Sequence, residues 1–145
     1  MSVTLAQANT IATVALKKAR EGKFAPLTVV VLDAGGHVVA SQREDNSGIV
    51  RFDLAYGKAW GALGMGFGTR ELADRAGKAP AFVNALFVVS QGRAVPSPGG
   101  VLIRDAGGAV IGAVGISGDT GDNDEICAVT GIEAAGLKAQ VGAAK

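Results

Sequence analysis

The feature that most constrains the fold is a turn sequence that occurs twice. Asp-Ala-Gly-Gly stands at residues 33–36 and again at residues 105–108, each time between two short runs rich in Val, Ile and Leu. Paired glycines supply the positive φ angles that tight hairpin turns need. The repeat therefore predicts two β-hairpins with matching turns, and two such hairpins favour one antiparallel sheet.

Helical patterns fill the rest of the chain. Thr4-Leu-Ala-Gln7 is typical of a capping box, and apolar residues then recur at three- and four-residue spacing until Gly22. Further helices are predicted at about 52–65, 69–77, 80–88 and 122–137, and an edge strand at 93–96. The predicted order is α-β-β-α-α-α-β-β-β-α. No helix joins successive strands within either β group, so the pattern predicts an α/β fold of the α+β kind, an antiparallel sheet flanked by helices.

Composition narrows the class of protein. The chain has 145 residues, which fits one domain over residues 1–145, and its 14 basic side chains nearly balance 13 acidic ones. This balance gives no field that would attract nucleic acid or an anionic membrane surface. No apolar run reaches the roughly 18 residues that a membrane-spanning helix needs. A single cysteine, Cys127, excludes an intramolecular disulfide and favours a cytoplasmic protein.

The stretch 112–125 runs from an apolar strand through a glycine-rich bend into the last helix. Free N–H groups at a helix start and glycines that allow close approach are suited to a carboxylate ligand, which predicts a binding role for Ser117 and Gly118. The competing interpretation is a self-capped helix, because Asp122 and Glu125 have the spacing of a capping pair.

Arg51 and Lys58 are the candidate anion-binding side chains. Their seven-residue spacing places both on one face of a helix. If that face adjoins the bend and the turn at Gly99 and Gly100, the two cations and nearby backbone donors would bind a carboxylate-bearing small molecule. The alternative is that both are solvated cations that pair with acidic neighbours such as Asp53.

Two other residues carry reactive groups. His37, the single histidine, follows a hairpin turn, where we expect an exposed side chain, so it is a weak candidate for a metal or haem ligand. Cys127 lies in the first turns of the last helix, and a buried, inert thiol is the favoured interpretation.

Several short strings carry a resemblance to a known family. Leu5-Ala-Gln-Ala, Val31-Leu-Asp-Ala-Gly-Gly-His, Gly57-Lys-Ala, Pro98-Gly-Gly and Gly112-Ala-Val-Gly-Ile-Ser-Gly-Asp-Thr occur in this order over nearly the whole chain. In these strings the chain resembles the GlcG/HbpS family, which is also found as the C-terminal domain of PduO-type proteins. The resemblance implies a profilin-like or PAS-like fold, a homo-oligomer (dimer, tetramer or octamer), and binding of haem or another tetrapyrrole. The first helix lacks the histidine with which some members ligate iron.

Two functions are therefore open. In the first, the chain is a small-ligand-binding protein, and the resemblance implies haem as the ligand. The pocket lies between the central helix and the 115–121 turn. Its predicted lining is Arg51, Lys58, Gly99, Gly100, Ser117 and Gly118. In the second, it is an enzyme acting on a small oxo- or hydroxy-carboxylic acid, with the two cations binding the carboxylate and Asp124 or Glu125 moving a proton.

Overall fold

Five helices and five strands form the part of the protein, residues 1–144, that the computed structural model describes. In chain order these are α1 (Leu5–Glu21), β1 (Thr28–Asp33), β2 (Val38–Arg43), α2 (Arg51–Met65), α3 (Thr69–Lys78), α4 (Pro80–Val89), β3 (Gly100–Arg104), β4 (Val110–Ser117), α5 (Gly121–Ala134) and β5 (Lys138–Gln140).

The strands form one five-stranded sheet in the order β2-β1-β4-β3-β5, and every neighbouring pair is antiparallel. The two predicted hairpins are β1–β2 and β3–β4, and the glycine that ends each turn, Gly36 and Gly108, has a positive φ of 83° and 90°. The predicted fold class and antiparallel sheet are thus confirmed.

Helices cover both faces of the sheet. Helices α1 and α5 pack on one face, where Val29 and Val31 belong to the larger apolar cluster. Helix α2 packs on the other face, against Val30 and Leu32. Successive side chains of a strand point to opposite faces, so β1 is apolar at every position from 29 to 32 because both of its faces are covered.

Some predicted elements differ from the structure. Residues 93–96 are not a strand, because this segment lies across α2, where a Cβ added to Gly57 would overlap Arg93 O. The fifth strand is instead β5, after α5, and the other elements follow the predicted order. The capping box at Thr4 is confirmed. Helix α5 is capped by Thr120, whose Oγ1 accepts from Asn123 N, rather than by the predicted Asp122–Glu125 pair.

Helix α2 lies very close to the centre of the sheet because the contacting residues are small. Ala55, Ala59 and Ala62 face the sheet from α2, and Gly115 of β4 lies beneath them. A Cβ added to Gly115 would overlap Ala55 O, so any larger side chain there would force helix and sheet apart.

The edge strand β2 remains uncovered on the α2 side of the sheet. Directly paired residues of antiparallel strands share a face, so Val38 and Ser41 lie on the same face as their partners Leu32 and Val30. Helix α2 packs on β1, β3 and β4, which leaves Val38, Ser41 and Arg43 exposed. We refer to these three residues as the β2 shelf.

Within residues 1–144, the structure contains no helix that is both long enough and apolar enough to cross a membrane.

Gly115→Ala should lower the free energy of unfolding by about 3 kcal/mol or more, because its methyl group would overlap the α2 backbone. The matched control is Gly77→Ala on α3, where no atom lies within 4 Å of the added Cβ. This control should raise stability by up to about 1 kcal/mol through helix propensity. Urea unfolding followed by circular dichroism measures both, and equal effects of the two substitutions would contradict the close approach described here.

Candidate functional site

The predicted site residues meet at one junction of the fold. The start of α2, the end of β4, the turn before β3 and the start of α5 converge there. Arg51 Nη1 donates to Ser117 Oγ over 3.1 Å. Lys58 Nζ donates to Ile116 O over 2.8 Å and to Asp124 Oδ2 over 3.1 Å. Both predicted cations therefore reach the end of β4 from one face of α2.

Lys58 and Asp124 form a buried ion pair, with side-chain exposures of 5% and 1%. Asp124 Oδ1 also accepts from Asp119 N over 3.0 Å. Burial lowers the pKa of Lys58 and raises the pKa of Asp124, while the attraction between the two charges opposes both shifts. Lys58 thus joins α2 to α5 inside the protein, and the interpretation of this residue as a solvated cation is wrong.

The glycines of the junction are filled by the chain itself. A Cβ added to Gly99 would lie 2.9 Å from Lys58 Nζ, and one added to Gly100 would overlap Lys58 O. Gly118 has a φ of 155°, and a Cβ there would overlap Pro26 O. These glycines allow separate backbone segments to touch, so close packing of the chain on itself accounts for them.

Several polar groups of the 115–121 bend also have internal partners. Asp119 accepts from Ala25 N over 2.8 Å, from Thr120 N and from the Asn123 amide, and these bonds lower the pKa of its carboxyl group. Asn123 N in turn donates to Thr120 Oγ1. The start of α5 is therefore capped from within the chain, by Thr120 and not by the Asp122–Glu125 pair.

Neither candidate acid is free. Asp124 is paired with Lys58, and both Glu125 carboxylate oxygens accept from Arg70 Nε, over 3.1 and 3.0 Å. Arg70 also binds Asp122, and these two carboxylates raise the pKa of its guanidinium. The acidic residues at the start of α5 thus attach this helix to α2 and α3.

His37 and Cys127 take no part in the hydrogen bonds and ion pairs of the junction. The His37 side chain is 82% exposed, and its Nδ1 lies 3.3 Å from Asp33 Oδ1. Among residues 1–144, no group of three or more His, Cys, Asp or Glu side chains is placed to hold a metal ion. The Cys127 thiol is buried, and burial raises its pKa to about 11, as the prediction of an inert cysteine requires.

Large exposed apolar side chains flank the half-buried Arg51 in the sequence, and the sequence analysis did not identify them. Ile49, Val50 and Phe52 are 92%, 52% and 39% exposed. Phe52 stacks with Tyr56, with ring centroids 6.3 Å apart and an angle of 18° between the planes. The available signal was the run Ile49-Val-Arg-Phe52, which places apolar residues on both sides of a cation. This end of α2 thus exposes a cation within apolar surface.

Four of the surface cavities formed by residues 1–144 were compared with the predicted site, and none of these four is lined by Arg51, Lys58 or the 115–121 bend. One of about 230 Å³ lies at the other end of α2, between the β1–β2 turn (residues 34–36) and Trp60, Leu63 and Gly64. Another of about 510 Å³ lies beside the end of β2 and includes Arg43. Of these two cavities, only the one at Trp60 is lined by residues of α2; the other also includes Arg20 of α1.

Comparisons with known proteins agree on one family. A family model described as "Haem degrading protein HbpS-like" matches residues 3–133. An uncharacterized 15.0 kDa protein of the dhaT-dhaS intergenic region of Citrobacter freundii is 34% identical over 132 residues, which is 91% of this chain and 91% of that protein. The crystal structure of a PduOC:heme complex has a TM-score of 0.85 and 28% identity, and the match covers 94% of this chain and 97% of that one.

A longer relative matches only in part. The corrinoid adenosyltransferase PduO of Salmonella typhimurium is 36% identical over 110 residues, which is 75% of this chain. The match spans about a third (32%) of the length of PduO.

Lys58→Met should lower the free energy of unfolding by about 3–5 kcal/mol, because it leaves the Asp124 carboxylate buried without its counter-ion. Adding Asp124→Asn to this variant should recover part of the loss, since the unpaired charge is then removed. The control is Lys17→Met, which changes an exposed lysine of α1. Urea unfolding of all three variants checks the pair, and a Lys58→Met loss below about 0.5 kcal/mol would refute its structural role.

Proposed function

This chain belongs to the HbpS-like family of haem-degrading proteins, and we propose that it binds haem on the exposed surface at the start of α2, where that helix meets the 115–121 turn. The observation that carries the proposal is the half-buried Arg51 among the exposed side chains of Ile49, Val50 and Phe52. Haem combines a flat apolar ring with two anionic propionates, so it needs this combination of apolar surface and cation. The similarity to a PduOC:heme complex supports the same ligand.

Arg51 is the residue that we assign to a propionate. Its Nη1 contacts Ser117 Oγ, which holds the guanidinium at the end of β4 and leaves its other donors for a ligand. The planar guanidinium matches a carboxylate in two parallel hydrogen bonds. Ser117 thus acts by orienting Arg51.

The other predicted site residues have a structural role and are not assigned a contact with the ligand. These residues are Lys58, Gly99, Gly100 and Gly118. Lys58 is buried and paired, so we assign it a positioning role in which it holds α2 against β4 and α5. The three glycines let the segments around this lysine and the bend touch. When bound, haem would supply the iron chemistry; the side chains of this chain would bind the propionates and cover the ring. With Asp124 and Glu125 both paired, no observation favours the alternative acid–base enzyme.

We also propose that residues 1–145 are one domain that assembles with further copies of itself through α4. This helix is apolar on nearly all sides, yet only Val83 is buried. A helix of this composition is normally covered. Its exposed side chains include Phe82, Phe87, Val88 and Val89, at 51%, 54%, 73% and 76% exposure.

We also propose that the protein is located in the cytoplasm. It is supported by Cys127, which is the single cysteine of the sequence and is buried, so the fold relies on no disulfide. The near balance of charges supports a small-molecule ligand in preference to nucleic acid.

Arg51→Ala should weaken haem binding about tenfold or more, because a hydrogen bond to a charged group contributes about 1.5–3 kcal/mol. Titration of the purified protein with haem, followed by absorbance, measures the dissociation constant. The control is Lys17→Ala, which removes one exposed cation from the opposite side of the sheet. Equal affinity in all three proteins would exclude Arg51 as the propionate partner, and absence of binding to the unmodified protein would exclude haem.

Val88→Asp should reduce the mass in solution to that of the 14.5 kDa chain, because it places a charge in the contact that we propose for α4. Size-exclusion chromatography with light scattering gives the mass. The control Leu5→Asp makes the same kind of change at a 60% exposed position of α1 and should leave the oligomer intact. A monomeric unmodified protein at micromolar concentration would contradict this proposal.

A further inference from the structure

Helix α4 has an inner side and an outer side. On the inner side Val83 is buried and Leu86 is half-buried, and both belong to the apolar cluster that contains Phe67 and Leu72. Helix α3 is the element on which this side packs. The outer side is formed by residues three, four and seven positions apart, which share one side of a helix. These residues, all exposed, are Ala81, Asn84, Ala85 and Val88. We call them the outer stripe.

The outer stripe is uncharged and lies between larger apolar side chains. At 100° per residue, Phe82 and Val89 flank it on one side and Phe87 flanks it on the other. All three side chains are more than half exposed. Helix α4 contains no Asp, Glu, Lys or Arg, so a second α4 helix meets no like charge on it. The two alanines of the stripe also let two helix backbones come close, because the distance between packed helices depends on the side chains at their contact.

Asn84 favours a second copy of the chain as the occupant of this surface. It stands at the middle of α4 and is the one polar side chain between Pro80 and Val89. An amide carries both donors and acceptors, so two Asn84 side chains that meet at a two-fold axis can pair with each other. A purely apolar partner would bury this amide without a hydrogen bond, which is costly. The stripe is thus complementary to itself, as a contact between identical copies about a two-fold axis requires.

Charge favours an antiparallel arrangement of the two helices. The positive N-terminal end of each α4 then lies beside the negative C-terminal end of the other. The exposed Lys78, which precedes α4, lies next to the C-terminal end of the second helix, where a cation is stabilising. In a parallel pair, the two copies of Lys78 would face each other. With Asn84 and Ala85 beside the axis, the antiparallel pair places Ala81 opposite Val88 of the second copy, so that a small residue meets a larger one.

Resting on the proposed assembly through α4, we propose that two copies of this chain pair through their outer stripes. The two α4 helices are antiparallel, the two-fold axis passes beside Asn84 and Ala85, and the two Asn84 amides are hydrogen-bonded to each other. Asn84 fixes the register, because a shift along the helices would leave both amides buried without a partner. The pair is the unit of any larger assembly, which therefore contains an even number of copies.

A charge pair introduced across the contact tests the arrangement. Val88→Asp alone should separate the copies, and adding Ala81→Lys should restore the pair, because each new ammonium group then lies opposite the new carboxylate of the other copy. Within one chain the two positions are about 10 Å apart along the helix, too far to pair with each other. Light scattering should show at least a tenfold recovery in affinity. The control, Val88→Asp with Leu5→Lys on α1, should stay monomeric. No recovery would overturn the antiparallel pairing and leave assembly through α4 intact.

Cross-linking locates the two-fold axis. Under a mild oxidant, Ala85→Cys should link two copies, because a residue beside the axis meets its own counterpart within the reach of a disulfide. Ala81→Cys is the matched control and should not, since its counterpart lies about 10 Å farther along the antiparallel helices. The native Cys127 is buried, so the unmodified protein should show no link on non-reducing electrophoresis. Equal linking by both variants, or none by Ala85→Cys, would overturn the axis at Asn84. A monomeric unmodified protein would instead remove the proposed assembly and this inference together.

Discussion

The close approach of α2 to β4 is the constraint on which the site depends. Where Ala55 and Ala59 of α2 cross Gly115 of β4, no side chain larger than a methyl group separates helix and sheet. Because the helix lies so near, Lys58 Nζ can reach Ile116 O, and Arg51 can reach Ser117. A helix held farther away by larger residues would leave both cations short of the end of β4. The small residues therefore determine where the charges of α2 are placed.

The buried Lys58–Asp124 pair connects α2 to α5, two helices that are distant in sequence. Two ions removed from water are tolerated only where each satisfies the other and further hydrogen bonds are made. Ile116 O and Asp119 N provide these further bonds. Arg70 adds a second, more exposed connection from α3 to Asp122 and Glu125. The acidic start of α5 is thus held by two helices, and its carboxylates serve the architecture of the site.

The sequence predicted those features that depend on local chemistry. The paired Asp-Ala-Gly-Gly turns and the Thr4 capping box depend on neighbouring residues, and both are present. The missed features depend on distant partners: residues 93–96 have a strand-like composition, but their backbone lies on Gly57. Asp119 and Asp124 of the bend and of α5 bind Ala25 N and Lys58, which are distant in sequence. The grouping of Arg51 and Lys58 followed from helical spacing. That one of them is buried and the other half-exposed depended on where the sheet ends, which spacing alone does not specify.

The burial of Cys127 has a consequence for how the protein tolerates oxidants. Oxidants attack the thiolate form of cysteine, and access to solvent is needed for the sulfenic acid to form. The single thiol of this chain is buried beneath α1, and its pKa of about 11 keeps it protonated at neutral pH. Peroxide would therefore find no ionised thiol in this protein, and disulfide crosslinks between copies are prevented by the same burial.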